Sequence, residues 1–163
     1  MTTSRGSRDT PSLLEGLAAT PDRLEAATRN AAADALDAAP DGEWSARTVL
    51  AHLRDDEFMV MRLRLARMIV EEHPTIAPFD ERAWADSRWS GRDGLQELLT
   101  DFRLQREASM MVLRRLEASD WLRTGLQPEY GAFDVRWWVE HWLEHDETHV
   151  AQITAALTKA KEE

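Results

Sequence analysis

The sequence predicts an all-α protein built as a bundle of four long helices. Apolar residues recur at helical spacing in four segments, residues typical of helix caps precede these segments, and no segment alternates over a length useful for a strand. The chain has 163 residues, of which 43% are hydrophobic and 31% charged, as expected for one domain that can bury a core. We expect residues 11–163 to form this domain and residues 1–10 to be a disordered tail.

Each helix is predicted from its start signal and its apolar stripe. The predicted helices are the first from Pro11 to about Ala38, continuous or interrupted near Thr20; the second from its cap Ser45 to about Glu72; the third from Ser90 or Asp93 through an apolar stripe that ends at Leu116; and the fourth from its cap Asp134 to about Lys159. Residues 74–90 are predicted to cross the bundle as a connection with a short helix. Residues 125–131 are predicted to form a loop.

Composition excludes several classes of function. The formal net charge of −10 argues against nucleic acid as a partner, because a polyanion would be repelled. The absence of cysteine excludes disulfides, thiolate metal ligands and a cysteine nucleophile. No apolar run has the length of a membrane span, and no hydrophobic stretch follows the basic residues of the N-terminus. We therefore expect no membrane partner and, by default, a cytoplasmic location.

Three of the five histidines recur at four-residue intervals in the predicted fourth helix, at His141, His145 and His149. The first and third are separated by about 12 Å of helical rise, so one ion can be held by two neighbours only. The apolar residues of this helix centre its buried side near His149 and then His145. We therefore expect His145 and His149 to face the interior and His141 to lie at the rim or on the surface.

The predicted second helix carries His52 on its apolar stripe, with Asp56 one turn further along. Three inward imidazoles from two helices can hold Zn²⁺ or Ni²⁺, with water completing the coordination. The alternative is that these histidines are core residues satisfied by other polar groups. A zincin protease is disfavoured because Asp146, not glutamate, follows His145. A ferritin-like di-iron site is disfavoured because no Glu-x-x-His motif occurs.

The chain resembles the DinB/YfiT-like superfamily of four-helix metal proteins from about Leu13 to Leu157. The resemblance depends on the order and spacing of short motifs: Glu43-Trp-Ser45, Val49-Leu-Ala-His52-Leu53, Pro78-Phe-Asp80, Phe102-Arg-Leu-Gln-Arg106, Tyr130-Gly131, and His145-Asp-x-x-His149-x-x-Gln152-Ile153. It implies an up-down-down-up helix order, a homodimer, and a zinc or nickel ion held by one histidine of the second helix and two of the fourth. At the matching positions these are His52, His145 and His149.

The resemblance also implies a function. Members include thiol S-transferases and a maleylpyruvate isomerase, so we expect a metal-dependent enzyme, either a low-molecular-weight-thiol S-transferase or a hydrolase, that acts on a small electrophilic substrate. The expected cofactors are a divalent metal and a low-molecular-weight thiol. A bound ion would activate the thiol or a water molecule. The alternative is a non-catalytic, dimeric stress-response protein that binds a metal or another ligand.

Four polar residues are candidates for supporting roles near the metal. Asp56 and Asp146 could accept an imidazole N–H, or be solvated. Gln152 could orient a ligand or a bound water, or only pack. Arg106 could face the interior near an anion such as the carboxylate of a thiol cofactor, or form a surface ion pair.

The chain has seven tryptophans and a single tyrosine, and several large aromatic side chains near a polar cluster can line a pocket. Trp138 could wall the pocket or belong to the core. Trp84 and Trp89 could cover the site from the connection. Trp44, beside the Ser45 cap, is interpreted as a structural contact.

Overall fold

The computed structural model describes residues 8–39, 42–87 and 93–160. The secondary-structure elements in chain order are α1 (Thr10–Thr28), α2 (Ala33–Asp37), α3 (Ala46–Asp56), a π-helical segment (Glu57–Arg62), α4 (Leu63–Val70), α5 (Glu81–Ser87), α6 (Leu95–Leu113), a 3₁₀ turn (Asp120–Leu122), β1 (Thr124–Gln127), β2 (Gly131–Asp134) and α7 (Val135–Lys159). The predicted helical bundle is confirmed. Its second helix runs without a break from α3 through the π-helical segment into α4.

The four bundle helices pack so that α1 and α3 each contact both α6 and α7. The first turns of α1 and α7 are joined by a hydrogen bond from Arg136 to the hydroxyl of Thr10 (3.0 Å), so these two helices run in the same direction. The second bundle helix runs against α7, because Met61, late in that helix, accepts a hydrogen bond from Trp138, which lies early in α7.

The third bundle helix, α6, runs against α1 and alongside the second. Along α6, Arg103 contacts Asp22 and the later Arg106 contacts the earlier Leu17, so the two helices are antiparallel. Two pairs join the second helix to α6 in the same order along both: Arg54 to Asp101 and Arg62 to Gln105. The expected up-down-down-up order is therefore confirmed.

The helix starts agree with the cap chemistry, with two adjustments. Ser45 accepts the N–H of Thr48 and Asp134 accepts the N–H of Trp137 (2.7 Å), as predicted for N-caps. The first helix begins at Thr10 and is capped by Asp9, one residue earlier than predicted. The third begins at Leu95 after Gly94, not at Asp93, and the alternative start Ser90 lies outside the described residues.

The first helix differs most from its prediction. It ends at Thr28, ten residues before Ala38, and a separate short α2 follows. The break allows Leu24 and Leu36 to reach the same apolar cluster from two directions. The helix is not interrupted near Thr20, although Pro21 lies within it.

The predicted loop 125–131 is instead part of a short antiparallel hairpin formed by β1 and β2. Each strand has four residues, too few for alternation to be visible in the sequence. Gly125 packs closely on α4, since a Cβ there would lie 3.2 Å from Cγ of Met68. Gly131 has a φ of +77°, a conformation that favours glycine.

The bundle interior consists of two apolar clusters separated by polar residues. On α7, one cluster takes residues 135–143 and the other residues 150–157. The same division occurs on α1, the second bundle helix and α6. The central polar layer comprises Thr20, Glu57, Arg106 and Asp146, all of which are buried. Within the described residues, none of the helices is both long and apolar enough to cross a lipid bilayer.

Candidate metal centre

Three imidazoles meet beside the central polar layer. His52 projects from α3 and is fully buried, while His145 and His149 project from successive turns of α7 and are half-buried. Their ring centroids are 4.4–5.2 Å apart, and one nitrogen from each ring lies within 4.8 Å of the others. The structure thus brings together the three histidines that the sequence selected from two distant segments.

The carboxylate of Asp56 lies at the same point. Nε2 of His52 is 3.1 Å from Nε2 of His145, and Oδ2 of Asp56 is 3.4 and 3.6 Å from these two nitrogens. A point equidistant from three atoms with these separations lies about 2 Å from each, which is the distance at which Zn²⁺ binds imidazole nitrogen and carboxylate oxygen. The three atoms therefore surround a position of the right size for a divalent cation.

Gln152 fixes the orientation of His149. Nδ1 of His149 and Oε1 of Gln152 are 2.8 Å apart, and because an amide oxygen only accepts, the imidazole donates its Nδ1–H. In that tautomer the lone pair of His149 is on Nε2, the usual arrangement when the other ring nitrogen is held by an acceptor. Sequence reasoning left the role of Gln152 open, and its contact is with the histidine side chain.

Burial keeps the imidazoles of His52 and His145 neutral. Removal from water lowers the pKa of His52 to about 3, and the nearby His149 contributes to this shift. Burial likewise lowers the pKa of His145 well below its usual value, with a further contribution from His149. Both rings are therefore uncharged at neutral pH, which is the form that binds metals.

Three buried polar atoms of this site have no hydrogen-bond partner among the described residues: His52 Nδ1, His145 Nδ1 and Asp56 Oδ1. Burial, with a smaller contribution from the charge of Glu81, raises the pKa of Asp56 to about 8. On the facing side, Nε2 of His52, Nε2 of His145 and Oδ2 of Asp56 are electron-pair donors packed close together, which is costly in a protein interior without a compensating cation. The donor set therefore fits a divalent metal ion, which would compensate the carboxylate and use the facing lone pairs.

A cavity of about 40 Å³ opens beside the candidate ligands and includes Asp56 and His145 in its wall. Trp138 contributes to the wall and also belongs to the apolar core, so both interpretations of this residue hold. Arg64 lies over its ring, with Cζ 5.2 Å from the centroid. The volume suits two or three water molecules or one small functional group.

Aromatic rings cover His52 on its other side. The ring of Trp44 lies 5.0 Å from the imidazole, and that of Trp84 lies 5.5 Å from it. Trp84 is held in place by its indole N–H, which donates to Asp55 (3.0 Å). Trp89, also predicted to cover the site, lies outside the described residues. Trp44 and Trp84 therefore limit water access to His52.

His141 is placed at the rim, apart from the candidate ligands. Its ring stacks on Trp137 with an interplanar angle of 4° and a centroid distance of 5.1 Å. It lines the cavity but belongs to neither of the donor groups found among the described residues. Burial lowers its pKa.

Arg106 corrects the sequence interpretation. It is 1% exposed, and its guanidinium forms two hydrogen bonds to Glu57 (2.7 and 2.8 Å) and two to Asp146 (2.6 and 3.1 Å). It is thus neither in a surface ion pair nor free to bind a cofactor carboxylate, since its anions belong to the protein. Asp146 likewise is neither solvated nor bonded to an imidazole, and it accepts its remaining bond from Thr20 (2.7 Å).

Sequence reasoning missed two partners of Arg106. Glu57 also accepts the indole N–H of Trp142 (3.1 Å). The available signal was its helical spacing to the apolar residues Leu53, Val60 and Met61. The other is the carbonyl of Leu17, which accepts from Arg106 (2.6 Å). This carbonyl lacks its helical donor because residue 21, four positions later, is proline.

The family model described as the DinB superfamily matches residues 17–153 of the chain. A protein of Oceanobacillus iheyensis, "Putative metal-dependent hydrolase OB0782", is 32% identical over 132 residues, which are 74% of this chain and 69% of that protein. "Putative metal-dependent hydrolase YfiT" of Bacillus subtilis is 38% identical over 64 residues, which are 37% of this chain and 35% of that protein.

Among solved structures, one described as "YfiT from Bacillus subtilis is a probable metal-dependent hydrolase with an unusual four-helix bundle topology" has a TM-score of 0.87 and 24% sequence identity. The match covers 98% of this chain and 93% of that chain, so the two share their fold over almost their whole lengths. With the family model spanning all four bundle helices, the chain belongs to the DinB superfamily.

Proposed function

We propose that this protein is a metal-dependent hydrolase of a small molecule, with the ion held by His52, His145 and His149. The observation that carries the proposal is the convergence of three imidazoles from two helices, next to a cavity, with nitrogens within 4.8 Å of one another. The names of the similar proteins from O. iheyensis and B. subtilis support the same class of activity. An imidazole-rich donor set favours Zn²⁺ or Ni²⁺.

When bound, a divalent ion supplies Lewis-acid polarisation and lowers the pKa of a water molecule. The side chains around the ion position orient a candidate ligand and exclude water. Gln152 holds His149 in one tautomer, and the Trp44 and Trp84 rings exclude water from the far side of His52. The cavity beside His145 leaves room for one functional group of a substrate. Thiol S-transfer would use the same ion, with a thiol from solution as the nucleophile, because the chain has no cysteine.

The first test is His149→Ala. We expect this variant to lose stoichiometric Zn²⁺ or Ni²⁺ and to hydrolyse small esters and amides at least about 100-fold more slowly, since two imidazoles hold a catalytic ion poorly. Metal content is measured by elemental analysis of untagged protein purified without a nickel column. His141→Ala is the control for metal content, because His141 lies one turn before His145 on the same helix, belongs to neither donor group and should leave the bound metal in place.

The same assay separates the other functions. Wild-type protein that carries no metal, or His149→Ala protein that keeps it, contradicts the proposal. If turnover requires an added low-molecular-weight thiol, the activity is S-transfer and not hydrolysis. Firmly bound metal without turnover in either assay favours the non-catalytic binding protein. The homodimer and the cytoplasmic location stay predictions.

A second test concerns Gln152. Gln152→Ala is expected to weaken Zn²⁺ binding about 10-fold, because removal of the acceptor frees the His149 ring to rotate and to change tautomer. Isothermal titration calorimetry of the metal-free protein measures the change. Gln152→Glu keeps an acceptor oxygen and should restore most of the affinity. Equal affinities in all three proteins would show that this contact is packing only.

A further inference from the structure

We infer that Asp56 is itself a metal ligand, so that the ion is held by a mixed set of imidazole and carboxylate donors. This inference rests on the proposed metal-dependent function and places Asp56 with His52 and His145 in one of two overlapping donor groups, the other of which contains His149. The sequence interpretation gave Asp56 a supporting role beside an imidazole. The structure instead places its Oδ2 among the ligand atoms.

Asp56 faces the same point as two of the imidazoles. Oδ2 of Asp56 lies on the facing side of both imidazoles, 3.4 Å from Nε2 of His52 and 3.6 Å from Nε2 of His145. A supporting carboxylate would contact the ring nitrogen that points away from the metal. In His52 and His145 that nitrogen is Nδ1, and neither Nδ1 has a hydrogen-bond partner among the described residues. Asp56 therefore occupies the position of a ligand and not that of a supporting acceptor.

Asp56 also differs from the other buried carboxylates in its partners. Three carboxylates are 1% exposed at the middle of the bundle: Asp56, Glu57 and Asp146. Glu57 and Asp146 are both compensated by the guanidinium of Arg106. Within the described ranges, Asp56 has only the two imidazoles within ion-pair distance, and the guanidinium of Arg106 is bonded to the other two carboxylates. A buried carboxylate of this kind calls for a cation, and a metal ion between the three donors supplies it.

The backbone also favours this arrangement. Asp56 follows His52 by four residues, so both side chains leave the same face of α3 one turn apart. The ion position between them is completed from α7 by His145. A second donor group joins Glu81 of α5 to these three residues, with ligand atoms within 4.8 Å of one another. Two donor groups therefore share His52 and His145, with His149 in one and Asp56 in the other.

A carboxylate ligand changes the metal preference. Oxygen donors favour harder ions, and imidazole–carboxylate sets accept Mn²⁺ and Fe²⁺, whereas sets of imidazole alone favour Zn²⁺, Cu²⁺ and Ni²⁺. A carboxylate also reduces the positive charge of the site by one. We therefore expect Asp56 to contribute more to Mn²⁺ affinity than to Zn²⁺ affinity.

The test is metal binding by metal-free wild-type, Asp56→Asn and Asp55→Asn proteins. Calorimetric titrations with Zn²⁺ and Mn²⁺ should show at least about 100-fold weaker Zn²⁺ binding for Asp56→Asn and no measurable Mn²⁺ binding. The visible d–d bands of bound Co²⁺ should also shift, because a ligand has been exchanged. Asp55→Asn removes the neighbouring negative charge but keeps an acceptor oxygen for the indole N–H of Trp84, so it should keep the wild-type affinity and spectrum.

The outcomes are distinct for the two proposals. If Asp56→Asn binds Zn²⁺ with wild-type affinity and gives the wild-type Co²⁺ spectrum, while His149→Ala loses the metal, Asp56 is no ligand and the proposed function stands. If wild-type protein binds neither Zn²⁺ nor Mn²⁺, both proposals fail. An equal loss in Asp55→Asn and Asp56→Asn would also overturn the assignment of Asp56. Circular dichroism of each variant checks that the bundle is folded.

Discussion

Replacing Arg106 with methionine is expected to lower the free energy of unfolding by about 3–5 kcal/mol, because it leaves buried carboxylates without their cation. Glu57 and Asp146 are each 1% exposed and each receive two hydrogen bonds from this guanidinium. The carbonyl of Leu17, which Pro21 leaves without a helical donor, would also lose its partner. Urea denaturation followed by circular dichroism measures the loss.

Arg103→Met is the matched control, one turn earlier on α6. Arg103 pairs with Asp22 and Glu25 at the surface, so its replacement is expected to cost less than about 1 kcal/mol. Similar losses for the two variants would contradict the role given to the buried cluster. If Arg106→Met does not fold, Arg106→Lys tests the same point, because an ammonium keeps the charge but cannot bond both carboxylates in forked pairs.

Replacing Asp56 with asparagine is expected to stabilise the metal-free protein at pH 8. Burial raises the folded-state pKa of Asp56 to about 8, with a further contribution from Glu81, against an ordinary value of 3.8. The pKa of Asp56 is higher in the folded than in the unfolded protein. Its favourable contribution to the free energy of unfolding is therefore fully present below pH 3.8 and is lost as the pH rises towards 8. A shift of about four pKa units limits the effect of Asp56 on the free energy of unfolding to roughly 5 kcal/mol. We expect Asp56→Asn to raise that free energy by about 2 kcal/mol or more at pH 8.

Urea denaturation with a chelator at several pH values between 5 and 8 measures this gain. Between pH 7 and 8 the buried His52 and His145 are neutral in the folded protein, so the difference between wild type and variant in this range reports on the carboxylate. Saturating Zn²⁺, at about 100 times the dissociation constant, should stabilise the wild-type protein by about 2.7 kcal/mol and the variant by less. An Asp56→Asn protein that is less stable than wild type at pH 8 without metal would contradict the expectation.

Much of the fold follows from local sequence. Caps such as Ser45 and Asp134 act within one turn, so the starts of two long helices could be predicted from a few residues. The end of α1 could not, because the break after Thr28 depends on how Leu36 packs against distant helices. The β1–β2 hairpin escaped prediction because its strands are short and are supported by contact with α4 and Ile76.

The candidate site could likewise be predicted only in part from the sequence. Helical spacing was enough to select the inward positions of His145 and His149, and the apolar stripe of the second helix was enough for His52. The partner of a buried charge cannot be obtained from spacing, because it depends on which helices are neighbours. The pairing of Arg106 with Glu57 and Asp146 joins residues 49 and 40 positions apart and became visible only in the assembled bundle.

The central polar layer also has a consequence for how the site is assembled. Asp146 directly follows His145, and Glu57 directly follows Asp56, so each carboxylate held by Arg106 is the chain neighbour of a residue that faces the candidate ion. Sliding either helix by one turn would break the forked contacts as well as separate the imidazoles. Folding therefore sets the longitudinal alignment of the candidate ligands, and metal uptake should require little rearrangement of the backbone.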